Sequence, residues 1–282
     1  MPKILVSLRV IFVLFLFLFL SVAQGDVLCY LYRHFIDASS EPVHWLLGGA
    51  AAAILILIMW LLSRTAVCRR YPLIETIPAG FAAVLAVSLP FASWQHVLVT
   101  ILYYCVAAAT LVFCNRLLQK AYHTARRRLP LLIYGTGLLL ICFVTGLRAA
   151  ATDADHYELR TAEALRRCDY AAAYRTGEIA LAVTPRLFAM RSYLLATQGE
   201  GLSQTLFKQP IPAGGSKYLL LPNDEWQRLN FSPDSLYVRL GGTPAQGETT
   251  LQFLQRLALP ADTAHRPTPL ARDYYLCALL LD

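Results

Sequence analysis

Residues 45–62 read WLLGGAAAAILILIMWLL, and after a short basic loop residues 73–94 read LIETIPAGFAAVLAVSLPFASW. Two more such stretches follow at 97–114 and 129–147, and among the four only Glu75 carries a charge. A helix rising about 1.5 Å per residue needs roughly 20 apolar residues to cross about 30 Å of hydrocarbon. A helix of a water-soluble core is rarely apolar all round for so long, so four in succession predict an all-α, polytopic transmembrane helix bundle.

A fifth segment, residues 10–23, is a dense Phe/Leu/Val run behind Lys3 and Arg9. Its basic start and its Ser21-Val22-Ala23 end have the form of a secretory signal with a small-residue cleavage site. Extended back to Ile4, with Arg9 snorkelling toward the interface, the same run makes an uncleaved anchor. The early return of the chain to the membrane favours the anchor. The expected membrane domain therefore covers residues 1–148, with spans at 10–23, 45–62, 73–94, 97–114 and 129–147.

Lys and Arg are retained on the cytoplasmic side of a span. One side collects Lys3, Arg9, Arg64, Arg69, Arg70, Arg116, Lys120, Arg126, Arg127 and Arg128, and the other only Arg33 and Arg148. This predicts a cytoplasmic N-terminus and an external, periplasmic domain from residue 149 onward. The net charge of +7 divides into +8 for residues 1–148 and −1 for the rest. Positive charge beside spans orients the chain and meets anionic lipid headgroups; a nucleic-acid partner would call for a basic face on a folded domain, and none is read here. The seven cysteines lie far apart, excluding zinc-ribbon, thioredoxin-like and haem-attachment spacings. Cys29, Cys168 and Cys277 fall on the expected external side, where one disulfide has room to form.

From Ala149 the apolar fraction falls and short amphipathic helices are expected. Thr152 or Asp153 caps a helix to about Arg167, and Asp169-Tyr170 turns into a second reaching about Val183. Thr184-Pro185 opens a third, with the hydroxyl as cap and proline at the first helical position. Ser232-Pro233, Thr243-Pro244 and Thr268-Pro269 repeat that device, while Gly199 and Gly241-Gly242 mark helix ends. The pattern predicts a soluble domain of helical hairpins over residues 149–282.

From Tyr157 to Pro185 the chain resembles one tetratricopeptide repeat, through Tyr157, Asp169-Tyr170, Ala173, Ala180-Leu181 and Pro185. Arg160, Thr161, Ala164 and Gly177 depart from the usual pattern. The tail as a whole, through Leu187-Phe188, Leu194-Leu195-Ala196, Leu206-Phe207, Gly214-Gly215, Leu220-Leu221-Pro222, Asp273-Tyr274-Tyr275-Leu276 and Leu279-Leu280-Leu281, resembles an uncharacterised bacterial family of polytopic membrane proteins with a tetratricopeptide-like external C-terminal domain. The resemblance implies a bacterial inner membrane, a protein-binding or scaffolding role in the cell envelope, and a chain that continues beyond the position of Asp282. It transfers no catalytic residue.

Few polar residues offer chemistry. His34, His44, His96 and His156 show no metal-ligand spacing, so neither metal nor cofactor is expected. Glu75, the intramembrane acid, is a candidate for proton or substrate coupling in a transporter component, with Arg69 or Arg70 in reach and Pro78 and Pro90 bending the span. Asp37 and Glu41, in an expected external loop over residues 24–43, resemble the carboxylates of polyprenyl-phosphate-dependent membrane glycosyltransferases and are the catalytic candidates of an enzyme reading, a glycosyl or acyl transferase. Gly214-Gly215-Ser216-Lys217 lacks the spacing of a phosphate loop. Stacked helix pairs favour partner recognition over catalysis, and Asp155, Glu158 and Arg166 are the expected groove-facing residues toward an envelope protein partner.

Overall fold

A computed structural model describes residues 2–36, 43–71, 73–88, 93–121, 129–149, 151–176, 183–198, 202–208, 210–229, 231–259 and 266–282, divided into two units, Met1–Thr152 and Asp153–Asp282. The regular structure of the described residues is helical throughout, with fifteen α-helices.

In the first unit, α1 (Pro2–Leu18) runs into a π-helical turn, Phe19–Ala23, closed by the Gln24 N–H on the Phe19 carbonyl at 2.9 Å. The next helix, α2 (Gly25–Phe35), occupies the first part of what reads in sequence as a plain loop over residues 24–43. That expectation is corrected because a polar residue there does not mark solvent: Arg33 is only 6% exposed, and Val27 in the same helix is fully buried. Then come α3 (His44–Ser63), α4 (Ala66–Arg70), α5 (Thr76–Ser88), α6 (Trp94–Ala121) and α7 (Leu129–Leu147).

Three segments are long and apolar enough to cross a membrane, namely Leu5–Ala23, His44–Ser63 and Trp94–Arg116; Thr76–Ser88 and Leu132–Leu147 are shorter apolar helices. The expected span over 73–94 is not one helix. Buried Leu73 takes a left-handed conformation (φ 68°), and its carbonyl accepts the Thr76 hydroxyl at 2.6 Å, so α5 begins only at Thr76. Its 13 residues reach about 20 Å. Pro78 falls in the first turn, where proline suits a helix, rather than bending a longer span; Pro90 lies outside the described residues.

Small residues set the spacing between these helices. Gly48 of α3 lies against the backbone of Leu20 and Ser21, and Gly80 of α5 against Tyr104 and Thr145. α6 and α7 pack antiparallel, in a register fixed by Tyr134 on Asn115, Gly137 against Leu111, Tyr104 on Thr145 and Arg148 on Thr100. Phe12, Leu16, Ala79, Ala83 and Val87 are buried, whereas Leu14, Ile54, Leu57, Leu102, Phe113, Leu139 and Phe143 are exposed. The unit's outside is thus as apolar as its inside, which suits a hydrocarbon surround with small residues at the helix contacts.

In the second unit α8 (Asp153–Arg166) starts and stops where the sequence predicts, and Asp169 caps α9 (Tyr170–Arg175) by accepting the Ala172 N–H at 3.0 Å. The remainder of that expected second helix, residues 177–182, lies outside the described residues. Thr184 caps α10 (Pro185–Gln198), taking the Leu187 N–H at 3.1 Å. The chain continues through α11 (Leu202–Thr205), α12 (Asn223–Arg228), α13 (Asp234–Leu240), α14 (Thr250–Ala258) and α15 (Pro269–Leu281). Thr268 caps α15 through the Ala271 N–H at 3.1 Å. Two expected caps fail. Ser232 makes no cap bond to α13, and Thr243-Pro244 opens no helix, since α14 starts behind Thr249 in a reciprocal capping box with Gln252. Gly241 (φ 94°) ends α13 with paired bonds, Gly241 N–H to Val238 and Gly242 N–H to Tyr237, that satisfy the last carbonyls.

α10 organises this unit. Every residue from Leu187 to Ala196 is buried, so partners surround it on all sides, with Leu165, Ala173, Leu206, Trp226, Leu236, Phe253 and Tyr274 in the same core. In a repeat array each hairpin would meet only its neighbours. Here α15 packs on α11, α13 and α14, and no repeat domain is identified.

Candidate functional site: polar groups of the apolar unit

A carboxylate among apolar helices needs compensation, and Glu75 finds it in Arg9. The Arg9 Nε–H donates to Glu75 Oε1 at 2.7 Å and Nη2 approaches the same oxygen at 2.6 Å. The Glu75 side chain is fully buried and that of Arg9 is 37% exposed. Arg9, 66 residues away in sequence, is thus a partner of Glu75, while the side chains of Arg69 and Arg70, the expected partners, lie outside the described residues. Glu75 Oε2 is buried and makes no hydrogen bond to any described residue. The turn at Leu73–Glu75 holds the acid at the start of α5, where the helix dipole favours a negative charge.

A second polar group joins the start of α6 to the end of α7. Arg148 Nε–H donates to Thr100 Oγ1 and Nη2–H to the His96 carbonyl, both at 3.1 Å. The Arg148 carbonyl in turn accepts from the His96 Nε2–H at 2.9 Å and the Ser88 hydroxyl at 3.4 Å. Further along the same seam Tyr104 and Thr145 share a hydrogen bond of 2.7 Å, and Tyr134 donates to Asn115 Oδ1 at 2.7 Å. Sequence reasoning passed over this seam, although Thr100, Tyr104 and Asn115 recur on one face of α6; that spacing was the available signal.

The other expected site residues are not gathered into one place. Asp37 and Glu41 lie outside the described residues. Glu158 is buried, accepts the Thr184 hydroxyl, and lies 3.4 Å from Arg186 Nη1, whose Nε–H reaches Glu225 Oε2 at 2.7 Å. Burial pushes the Glu158 carboxyl above its usual range, opposed by the Thr184 hydroxyl and the Arg186 charge. Arg166 pairs with Glu163, one turn away on its own helix, and Asp155 is half-buried. Glu158 thus ties α8 to α10 and α12, a role its sequence position did not reveal.

Among the described residues no group of three His, Cys, Asp or Glu is placed to hold a metal ion, and no disulfide is formed. His34 stacks on Tyr30, and His44 packs beside Gly25. Comparison of the chain with protein-family models, with curated proteins and with solved structures finds no match.

Proposed function

We propose that the chain is a multi-pass protein of a bacterial inner membrane, with a cytoplasmic N-terminus and a periplasmic second unit that binds an envelope protein. In this reading α1, α3 and α6 cross the bilayer fully, α5 and α7 complete the bundle as the third and fifth expected spans, and the α8–α9 hairpin is the tetratricopeptide-like element. The apolar exterior of the first unit supports the membrane half. The observation that carries the binding half is a row on one face of α15: Leu276, Leu279 and Leu280 are 54%, 49% and 71% exposed, while Tyr274, Cys277 and Ala278 on the opposite face are fully buried. Apolar side chains clustered on one face are what a partner covers.

A photo-crosslinking residue at position 280 of the full chain tests this in cells, with the same residue at exposed Gln227 as control. A discrete adduct from position 280, absent at 227 and lost when Leu276→Glu is added, is the expected outcome. No adduct at normal accumulation, or equal adducts at both positions, would remove the binding role. A transporter component is the second reading, favoured by the buried Glu75 Oε2, which has no hydrogen-bond partner among the described residues.

A further inference from the structure

We infer that Arg148, held where the end of α7 meets the start of α6, is a binding site for the phosphate of an anionic phospholipid. The inference rests on the membrane placement proposed above and adds to it a specific lipid contact. Two of the five guanidinium N–H groups are spent on Thr100 and His96, and both acceptors are neutral. Nη1 makes no hydrogen bond within the described part of the unit, nor does Arg148 form an ion pair there, so among those residues its positive charge meets no counter-ion. Its backbone is tied down independently by His96 and Ser88 on its carbonyl, and by its own N–H on Val144 at 2.9 Å. The side chain is therefore presented in a fixed pose, not trailing toward water. A planar fork with free N–H groups matches phosphate oxygens in charge and shape.

The surroundings are those of a headgroup with hydrocarbon beneath it. The guanidinium carbon lies 5.6 Å from the centre of the Tyr103 ring, and Trp94, at the first turn of α6, is 80% exposed. Amphipathic rings of this kind settle at headgroup depth. Val99, Tyr103 and Val106 follow at helical spacing on one face of α6, 41%, 44% and 56% exposed, leaving an apolar track for an acyl chain. Charge economy points the same way. Positive residues are disfavoured on the outward side of a span, and of the two Arg expected there Arg33 is buried while Arg148 is only half-buried.

The test uses the full chain purified in detergent, with retention of added phosphatidylglycerol or phosphatidylcholine read by native mass spectrometry. Wild type should retain phosphatidylglycerol about fivefold better, the preference one Arg supplies at a membrane surface. Arg148→Gln should abolish the preference, and Arg148→Lys, the variant that keeps the charge and so guards against misfolding, should reduce it by losing the planar fork. Arg64→Gln, which removes a guanidinium stacked on Trp60 instead, should leave it intact. An unchanged preference in Arg148→Gln or, should that variant not fold, in Arg148→Lys would overturn the site. Competition by inorganic phosphate equal to that by phosphatidylglycerol would overturn the assignment to lipid. Flotation of wild type with pure phosphatidylcholine vesicles reads the membrane placement separately, so its failure is told apart from failure of the site.

Discussion

Gly48→Ala is expected to lower the thermal stability of the first unit sharply, and Gly48→Leu to prevent accumulation of a folded chain. A Cβ at this position would lie 2.4 Å from Ser21 Cα and 2.6 Å from both the Leu20 carbonyl oxygen and the Ser21 nitrogen. These are backbone atoms of the π-helical turn and cannot swing aside as a flexible side chain would. Relief requires α3 to move off the end of α1, an overpacking cost of about 1–3 kcal/mol for the methyl group and more for a leucine. Gly135→Ala and Gly146→Ala provide the comparison, since nothing lies within 4 Å of a Cβ at either. Alanine there should be neutral or slightly stabilising in a helix. Thermal unfolding of the three variants in detergent checks this; a Gly48→Ala protein as stable as Gly135→Ala would contradict the close approach of α3 to the turn.

The Arg9–Glu75 pair should be energetically lopsided. Arg9→Met leaves a fully buried carboxylate with no counter-charge among the described residues, and breaking a buried pair in this way costs about 3–5 kcal/mol. Glu75→Gln should cost clearly less, because the Arg9 side chain is 37% exposed and can carry its charge to the interface. The double variant should recover most of the loss in Arg9→Met, since the stranded charge is gone. A double-mutant cycle on thermal stability reads the coupling directly. Additive single effects would mean that the two groups do not depend on each other.

The parts of this fold written in local sequence were readable, and those that depend on distant contacts were not. Apolar length alone marks α3 and α6, and hydroxyl-proline pairs place the starts of α10 and α15 because a cap is a contact within one turn. The start of α14 was equally local, in Thr249 and Gln252, but Thr243-Pro244 lies nearby and imitates it. α2 was hidden because Arg33 reads as solvated, and burial of an arginine is a tertiary event. The all-round burial of α10, though not its start, was masked in the same way, since Arg191 and Ser192 interrupt its apolar run yet both are buried. The shortening of α5 follows from Leu73, a residue type that gives no hint of a left-handed backbone. For the candidate site, Glu75 announced itself as a charge in an apolar stretch. Its contact with Arg9 did not, because a pair that joins α1 to α5 across 66 residues is a tertiary event.

The orientation of the two units about a bilayer is the claim on which the proposed function depends, and thiol accessibility measures it most directly. Cys68, in the loop region expected to be cytoplasmic, is buried and makes a poor reporter, whereas Thr65 and Cys168 are both exposed. In intact spheroplasts an impermeant maleimide should label a chain whose single cysteine is Cys168. A chain carrying only Thr65→Cys should stay unlabelled until the membrane is permeabilised. Labelling of Thr65→Cys without permeabilisation, or protection of Cys168 until that step, would contradict a cytoplasmic N-terminus with the second unit outside.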